Sequence, residues 1–329
     1  MALLGICDAS GAFASAHCRE GDAALAARAA RSRVRPGFVL TQPDLAIVTC
    51  CPGVDCTAEL ARLGEEIGRD VPVVGGGAAD ALGELDASQM WVAGDTCVET
   101  SGVQVTLCWL SVRTRLVLSS CYEPVGRSTN GVCTAVSERN DELLCIDGRP
   151  AQDVYREWLA CDATKEETCA LATAFDEPKP ASVLRSSTLR PLARTTATDR
   201  KVLLHPSRLT VNGGLELFAP VAVGDELCLM RAERADLVTL LSSARDTDAD
   251  NDTIAGALVV YCGGCALAVG KAQLGTATKH LATALGRKPF CALFAYGELG
   301  HASGANVHAN LMYSVVLFGT AKHNHFNAA

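Results

Sequence analysis

GALVVYCGGCALAVG, residues Gly256 to Gly270, and PFCALFAYGELG, residues Pro289 to Gly300, decide the reading of this chain. In the first, Ala257 to Tyr261 is an apolar, β-branched run with the character of a buried strand. It stops at Cys262-Gly263-Gly264-Cys265 and passes into a helical pattern. In the second, another apolar run reaches Gly297-Glu298-Leu299-Gly300, which reads as a glycine turn closing a strand. Strand ends that meet glycine-rich turns are where α/β folds present backbone N–H groups to small ligands. No complete catalytic signature stands elsewhere in the chain, so function is read largely from these two stretches.

Working outward, the same alternation recurs. Gly21 to Val34 is alanine-rich and helical. Leu45 to Cys50 is a short buried strand, and Cys56 to Arg69 carries Leu60, Leu63 and Ile67 at helical spacing. Val71 to Val74 is a strand running into Gly75-Gly76-Gly77. Trp91 to Thr96, Gly102 to Ser111 and Thr114 to Ser119 read as strands joined by tight turns, antiparallel neighbours of one another. Val132 to Val136 and Glu142 to Ile146 form a hairpin, and Asp153 to Leu159 opens a helix with Val154, Tyr155, Trp158 and Leu159 on one side. Asp176 to Pro191 reads as a long loop. Lys201 to His205, Arg208 to Val211, Leu215 to Phe218 and Glu226 to Arg231 return to strands, with a hairpin turn at Asn212-Gly213-Gly214. Leu237, Leu240 and Leu241 mark a helix before the acidic loop Asp246 to Asp252, and Ala321 to Ala329 reads as a frayed tail. The fold class is α/β: mixed, largely antiparallel sheets with flanking helices, in two related parts, residues 1–145 and 146–329.

Composition limits the function classes. The chain has 329 residues, 49% apolar and 20% charged, enough for two domains with their own cores. A net charge of -8, with no basic run, argues against a nucleic-acid partner. No stretch reaches the roughly 18 apolar residues of a membrane span. The N-terminus lacks the leading basic region of a secretory signal. Sixteen cysteines in so aliphatic a chain, with Cys50, Cys108, Cys228 and Cys291 inside apolar runs, read as free structural thiols of a reducing, cytoplasmic compartment.

Several motifs then occur in a fixed order. They are Val71-Pro-Val-Val-Gly-Gly-Gly77, Glu123-Pro-Val-Gly126, and Ile146-Asp-Gly-Arg-Pro-Ala151 with Val154-Tyr155. Val223-Gly-Asp225, Tyr261-Cys-Gly-Gly264, and Pro289-Phe290 with Tyr296-Gly-Glu298 follow. Together they resemble the FIST family, the F-box and intracellular signal transduction module, over roughly residues 20 to 320. The resemblance implies a sensory, ligand-binding module with an N-terminal FIST part and a C-terminal one. It implies small-molecule ligands such as amino acids and a protein signalling partner; some bacterial members bind haem and respond to nitric oxide. Three positions depart from the family's pattern. Cys265 stands where it usually has arginine, Gly77-Ala78 where it has a Gly-Ser/Cys-Thr turn, and Tyr313-Ser314 where it has a strand opening with His-Asn-x-Thr, His308 being the nearest histidine.

The candidate ligand-binding residues are Gly75, Gly76, Gly77, Arg127, Cys262, Gly263, Gly264, Tyr296, Gly297 and Glu298. Glu298 would hold a ligand ammonium and Arg127 its carboxylate; the plain alternatives are a solvated turn and a surface charge. The Cys262/Cys265 pair reads as structural or pocket-lining first, then as reactive without catalysis, then as a redox dithiol. Zinc lacks a second pair at matching spacing, Cys50-Cys51 with Cys56 being a poor one. His301 and His308 are single-imidazole candidates for haem, with neither haem nor metal expected, and His323 and His325 lie in the tail. Asp147-Gly148-Arg149 reads as a tight turn. No catalytic residues are assigned. The function expected is a sensory or signal-transduction module binding an amino acid. A protein-interaction scaffold and a thiol-dependent enzyme using Cys262 are the alternatives.

Overall fold

The computed structural model describes residues 5–80, 85–93, 98–162, 180–195, 201–244, 254–302 and 304–319. The acidic loop Asp246 to Asp252 and the tail Ala321 to Ala329, with His323 and His325, lie outside them.

The chain opens with β1 (Ala12–Cys18), α1 (Ala23–Arg33), β2 (Leu45–Cys50), α2 (Cys56–Ile67), β3 (Val73–Gly77), the two-residue strands β4 (Val92–Ala93) and β5 (Val98–Glu99), and β6 (Val103–Trp109). Both helices start on aspartate caps. Asp22 accepts from the Leu25 N–H, and Asp55 accepts from those of Thr57 and Ala58, satisfying amides the helix leaves unpaired. A single strand, β7 (Thr114–Ser119), follows.

An inserted sheet comes next: β8 (Glu123–Pro124), β9 (Asn130–Val136), β10 (Glu142–Ile146), β11 (Arg149–Pro150), α3 (Ala151–Asp162), α4 (Pro180–Leu189), β12 (Leu192–Thr195), β13 (Lys201–Leu204), β14 (Pro206–Leu209), β15 (Leu215–Leu217) and β16 (Glu226–Arg231). Val154, Tyr155, Trp158 and Leu159 of α3 fill its core with Leu143, Leu204 and Leu227. The segment read as a loop from Asp176 to Pro191 holds α4. Proline at the first helical position supplies its fixed φ where the missing N–H costs nothing.

The chain then returns to the first sheet through α5 (Arg234–Thr239), β17 (Ile254–Cys262), α6 (Gly263–Val269), α7 (Lys271–Ala284), β18 (Phe290–Ala302), β19 (Ala305–Ala309) and β20 (Tyr313–Gly319). The strand order is β1-β6-β2-β3-β18-β17-β20-β7. It repeats itself about its centre. β2 is parallel to β3 as β17 is to β18, and β6 is antiparallel to β2 as β20 is to β17. β1 and β7 close the two ends antiparallel, and β3 meets β18 antiparallel in the middle. The family of elements is thus duplicated, with the inserted sheet placed inside the second copy.

This sheet is folded over on itself. β6 and β7 stand six positions apart, about 29 Å in a flat sheet, yet residues 110–113 reach only about 18 Å. The side chains show the closure. Leu45, Val74, Cys108 and Leu110 from the first copy pack in one cluster with Leu258, Val260, Cys291, Val316 and Phe318 from the second. Their neighbours in sequence face outward, Val73 against α1 and α2, and Val259, Val315 and Leu317 against α5 and α7. The layers are therefore helix, sheet, sheet, helix, and the strands read as continuous apolar runs because both faces are covered. β6 and β7 are not the antiparallel neighbours that the sequence suggested; they belong to opposite copies.

The corner lies in β18. Residues 290–295 pair with β17, while Tyr296, Glu298 and Leu299 pair with Gly77, Gly76 and Gly75 of β3. The register slips between Tyr296 and Glu298, and Gly297 between them has φ +76°. A bulged glycine of this kind lets a strand bend and switch sheets. The expected turn at Gly297 to Gly300 is corrected here: β18 runs through it to Ala302.

Candidate functional site

The three glycine stretches meet on β18. Cys262 pairs with Ala295, and Gly77 pairs with the next residue, Tyr296. Gly75, Gly76 and Gly77 are strand rather than turn. Gly75 has φ +144°, and a Cβ there would run into the Val48 carbonyl of β2, so this glycine serves strand packing. A side chain at Gly297 would strike the His308 imidazole. Gly263 and Gly264 open α6 against two aromatic groups. A Cβ on Gly263 would come within 2.8 Å of the Tyr296 ring, and one on Gly264 within 2.6 Å of His205 and 2.9 Å of Thr188 Oγ1.

Around this junction a cleft of about 260 Å³ separates the folded sheet from the inserted one. Cys51, Cys56, Gly77, Tyr296 and His308 line one side; Arg208, Glu216 and Phe218 line the other. An aromatic column stands along it. Phe218 stacks on Tyr296 with centroids 5.4 Å apart at 22°, and His205 lies 5.4 Å beyond Phe218. The Tyr296 hydroxyl donates to Asp80 Oδ1 at 2.9 Å. His308 meets Thr57 Oγ1 at 3.1 Å through Nδ1, and burial pushes its pKa down to about 4, so the ring is neutral. Arg208 and Glu216 are cross-strand partners on β14 and β15.

Other candidates fall elsewhere. Arg127 is exposed in a single helical turn, Arg127–Thr129, before β9. Among the described residues it makes no ion pair with Glu298, because one is on the surface of the inserted sheet and the other is wholly buried in the folded one. Glu298 is no solvated turn residue: it is 0% exposed, lies against Cys262, and accepts the Met312 N–H at 3.2 Å. The expectation that Arg127 and Glu298 share a ligand is thereby corrected. His301 meets Asn306 Oδ1 at 2.9 Å, and Asn306 bonds the backbone at Val71 and Val73. Asp147 accepts from Val132 N at 2.9 Å with φ +50°, holding its turn as expected. Among the described residues no group of three His, Cys, Asp or Glu side chains is arranged for a metal ion, and each of the described cysteines is unbridged.

A larger hollow of about 640 Å³ opens between Ser120, Glu123, Arg231 and α5. Three of its four charged side chains are already engaged: Glu233 and Asp236 form the capping box of α5, and Arg231 reaches Asp162, while Glu123 is exposed. The smaller cleft brings a charge of each sign, Arg208 and Glu216, to facing positions on β14 and β15. Sequence reasoning missed these two, together with Phe218. Their signal was faint: alternate positions of two strands flanking the Asn212-Gly213-Gly214 turn.

No curated protein matches the chain. Residues 1–149 match the FIST N domain and residues 151–301 the FIST C domain. No helix among the described residues is long and apolar enough to cross a membrane. The strand-end motifs and the matched spans agree: the chain belongs to the FIST family of signal-transduction sensory modules, with both domains in tandem.

Proposed function

We propose that this chain senses a free α-amino acid bound in the cleft between the folded and inserted sheets, and passes the signal to a separate protein in the cytoplasm. One observation carries the reading. A guanidinium and a carboxylate, Arg208 and Glu216, stand side by side on adjacent strands and line the same cleft as the stacked Phe218 and Tyr296. Arg208 takes the ligand carboxylate as a fork and Glu216 takes the ammonium. Gly77, Gly297 and the Gly263-Gly264 start of α6 keep the walls close enough for backbone to approach the ligand. Cys262 and Glu298 lie deeper, beneath Tyr296. The volume is smaller than the roughly 300–1,000 Å³ of drug-sized pockets, which favours a ligand of amino-acid size. Unbridged cysteines support a reducing compartment. Because the cleft joins two sheets, a ligand that touches both shifts the population toward the closed arrangement, which a partner reads.

Titration calorimetry over a panel of amino acids tests this. Binding is expected for one or a few, and Arg208→Ala or Glu216→Gln should each weaken it by about 1.5–3 kcal/mol, the range for hydrogen bonds to charged groups. Silence across the panel, or unchanged affinity in both variants, rejects the reading.

A further inference from the structure

Four polar groups that the ligand reading leaves unused lie together beneath the cleft. Cys262 ends β17, Cys265 is the third residue of α6, Glu298 follows the β18 corner and Tyr122 lies beyond β7. The Cys262 side chain contacts both Cys265 and Glu298. The Tyr122 hydroxyl stands 3.7 Å from Cys265 Sγ. Glu298 is 0% exposed, and its Oε1 has no hydrogen-bond partner that meets ordinary geometry. A buried carboxyl oxygen without such a partner is costly unless it holds a proton or receives one.

We propose that Cys262 and Cys265 form a reversible dithiol–disulfide site, oxidised by small hydroperoxides, with Glu298 carrying the protons. Cys262 acts as thiolate while Glu298 holds the shared proton. The sulfur attacks the peroxide O–O bond, forming S–OH. The departing hydroxide takes the Glu298 proton and leaves as water. Cys265 then passes its proton to Glu298 as its sulfur attacks Cys262, and the released hydroxide takes that proton to form a second water. One peroxide is reduced, two thiols become one disulfide, and an added dithiol reverses the change.

The electrostatics select the first cysteine. Burial opposes charge on Cys262, but Cys265 Sγ and the amides of Cys265, Leu311 and Gly264 outweigh it and draw its pKa below the ordinary thiol value. Burial, and next the Cys262 charge, raise Glu298 well above the usual carboxyl range and Cys265 well above the usual thiol range. Three other thiols go the opposite way: burial pushes Cys108 and Cys121 to about 12 and Cys133 to about 11. Both sulfurs are buried, and Gly263 between them rests on the Tyr296 ring that lines the cleft. The dithiol is thus one aromatic ring deep, within reach of a hydroperoxide rather than of a protein disulfide. The site does not depend on the amino-acid reading.

The test uses the full chain, reduced, desalted and treated with equimolar hydrogen peroxide at neutral pH, then alkylated and digested with trypsin. The tryptic peptide from Asp246 to Lys271 contains these two cysteines and no other. It is expected to escape alkylation and run two hydrogens below the free dithiol peptide before any other cysteine peptide changes, and dithiothreitol ahead of alkylation should restore the doubly alkylated form. In Cys265→Ser, dimedone should capture a sulfenic acid on Cys262. Glu298→Gln should slow bridging roughly 100-fold, the low end of what a positioned acid–base group contributes. A peptide that stays doubly alkylated while other cysteines oxidise overturns the site, and a dimedone adduct on Cys265 in Cys262→Ser overturns the order of attack. A Gln variant that bridges at the wild-type rate overturns the role of Glu298. If that variant does not fold, the wild-type and Cys265→Ser measurements still decide.

Discussion

His205 shows how far a single side chain's setting governs the behaviour of the molecule. It is 1% exposed, faces Thr188 Oγ1 at 3.2 Å and packs on Phe218. Burial disfavours its charged form and lowers its pKa to about 3. The unfolded chain binds a proton on this ring near pH 6.5 and the folded chain does not. Its contribution to stability is therefore fully present above that value and is lost as pH falls from 6.5 toward 3. The expected slope is about 1.4 kcal/mol per pH unit. His308 shifts the same way, but its ring lines the cleft, so solvent screens it and its share is smaller. Urea unfolding between pH 7 and pH 5 measures this slope against the opposing one from buried Glu298, whose raised pKa makes the folded chain the one that holds that proton. His205→Gln should flatten it, and an unchanged slope in that variant would assign the effect elsewhere.

Elements are legible in this sequence where a local signal agrees with the packing. β2 and β7 occupy the residues that their apolar runs mark, and Asp22, Asp55 and the periodic leucines place α1 and α2. The failures share a cause. Glycine reads as punctuation at Gly297 to Gly300, whereas these glycines allow a strand to bulge, cross and pack tightly. Asp176 to Pro191 reads as a loop although Pro180 starts a helix there. Glu298 looked like a turn residue for the same reason, so its burial against Cys262 was invisible. Arg208 and Glu216 are set opposite each other only by strand pairing. An ion pair equally hidden from sequence joins α3 to α4. Arg190 Nε lies 2.5 Å from Asp162 Oδ2, both side chains at most 7% exposed, and Glu233 of the α5 cap reaches the same guanidinium at 3.3 Å. Removing one partner leaves a buried charge uncompensated, so Asp162→Asn should cost about 3–5 kcal/mol in chemical denaturation. A loss under about 1 kcal/mol would mean that solvent or Glu233 already satisfies Arg190.

At the scale of the whole molecule, the two copies complete one another. β3 pairs on its free edge with β18, and β7, which precedes the inserted sheet, pairs with β20 near the end of the chain. Between them, Leu45, Val74 and Leu110 are covered by side chains contributed by β17, β18 and β20. The span that matches the FIST N domain, residues 1–149, contains β7 without its partner and this face without its cover. Exposing three such side chains forfeits about 1.5–3 kcal/mol each, together about 5–9 kcal/mol, comparable with the roughly 5–15 kcal/mol that holds a domain folded. The open edge of β3 adds a row of unpaired backbone groups that invites aggregation. A fragment of residues 1–149 is therefore expected to lack a cooperative urea transition and the near-ultraviolet circular dichroism that Trp109, packed 6.2 Å from Phe38, gives in the full chain. The full chain should lose the signals of both copies in one transition, because they share a core. A fragment that unfolds sharply with native aromatic dichroism would show that the first copy is autonomous. The cleft would then be an interface between two independent domains, free to open without disturbing either core.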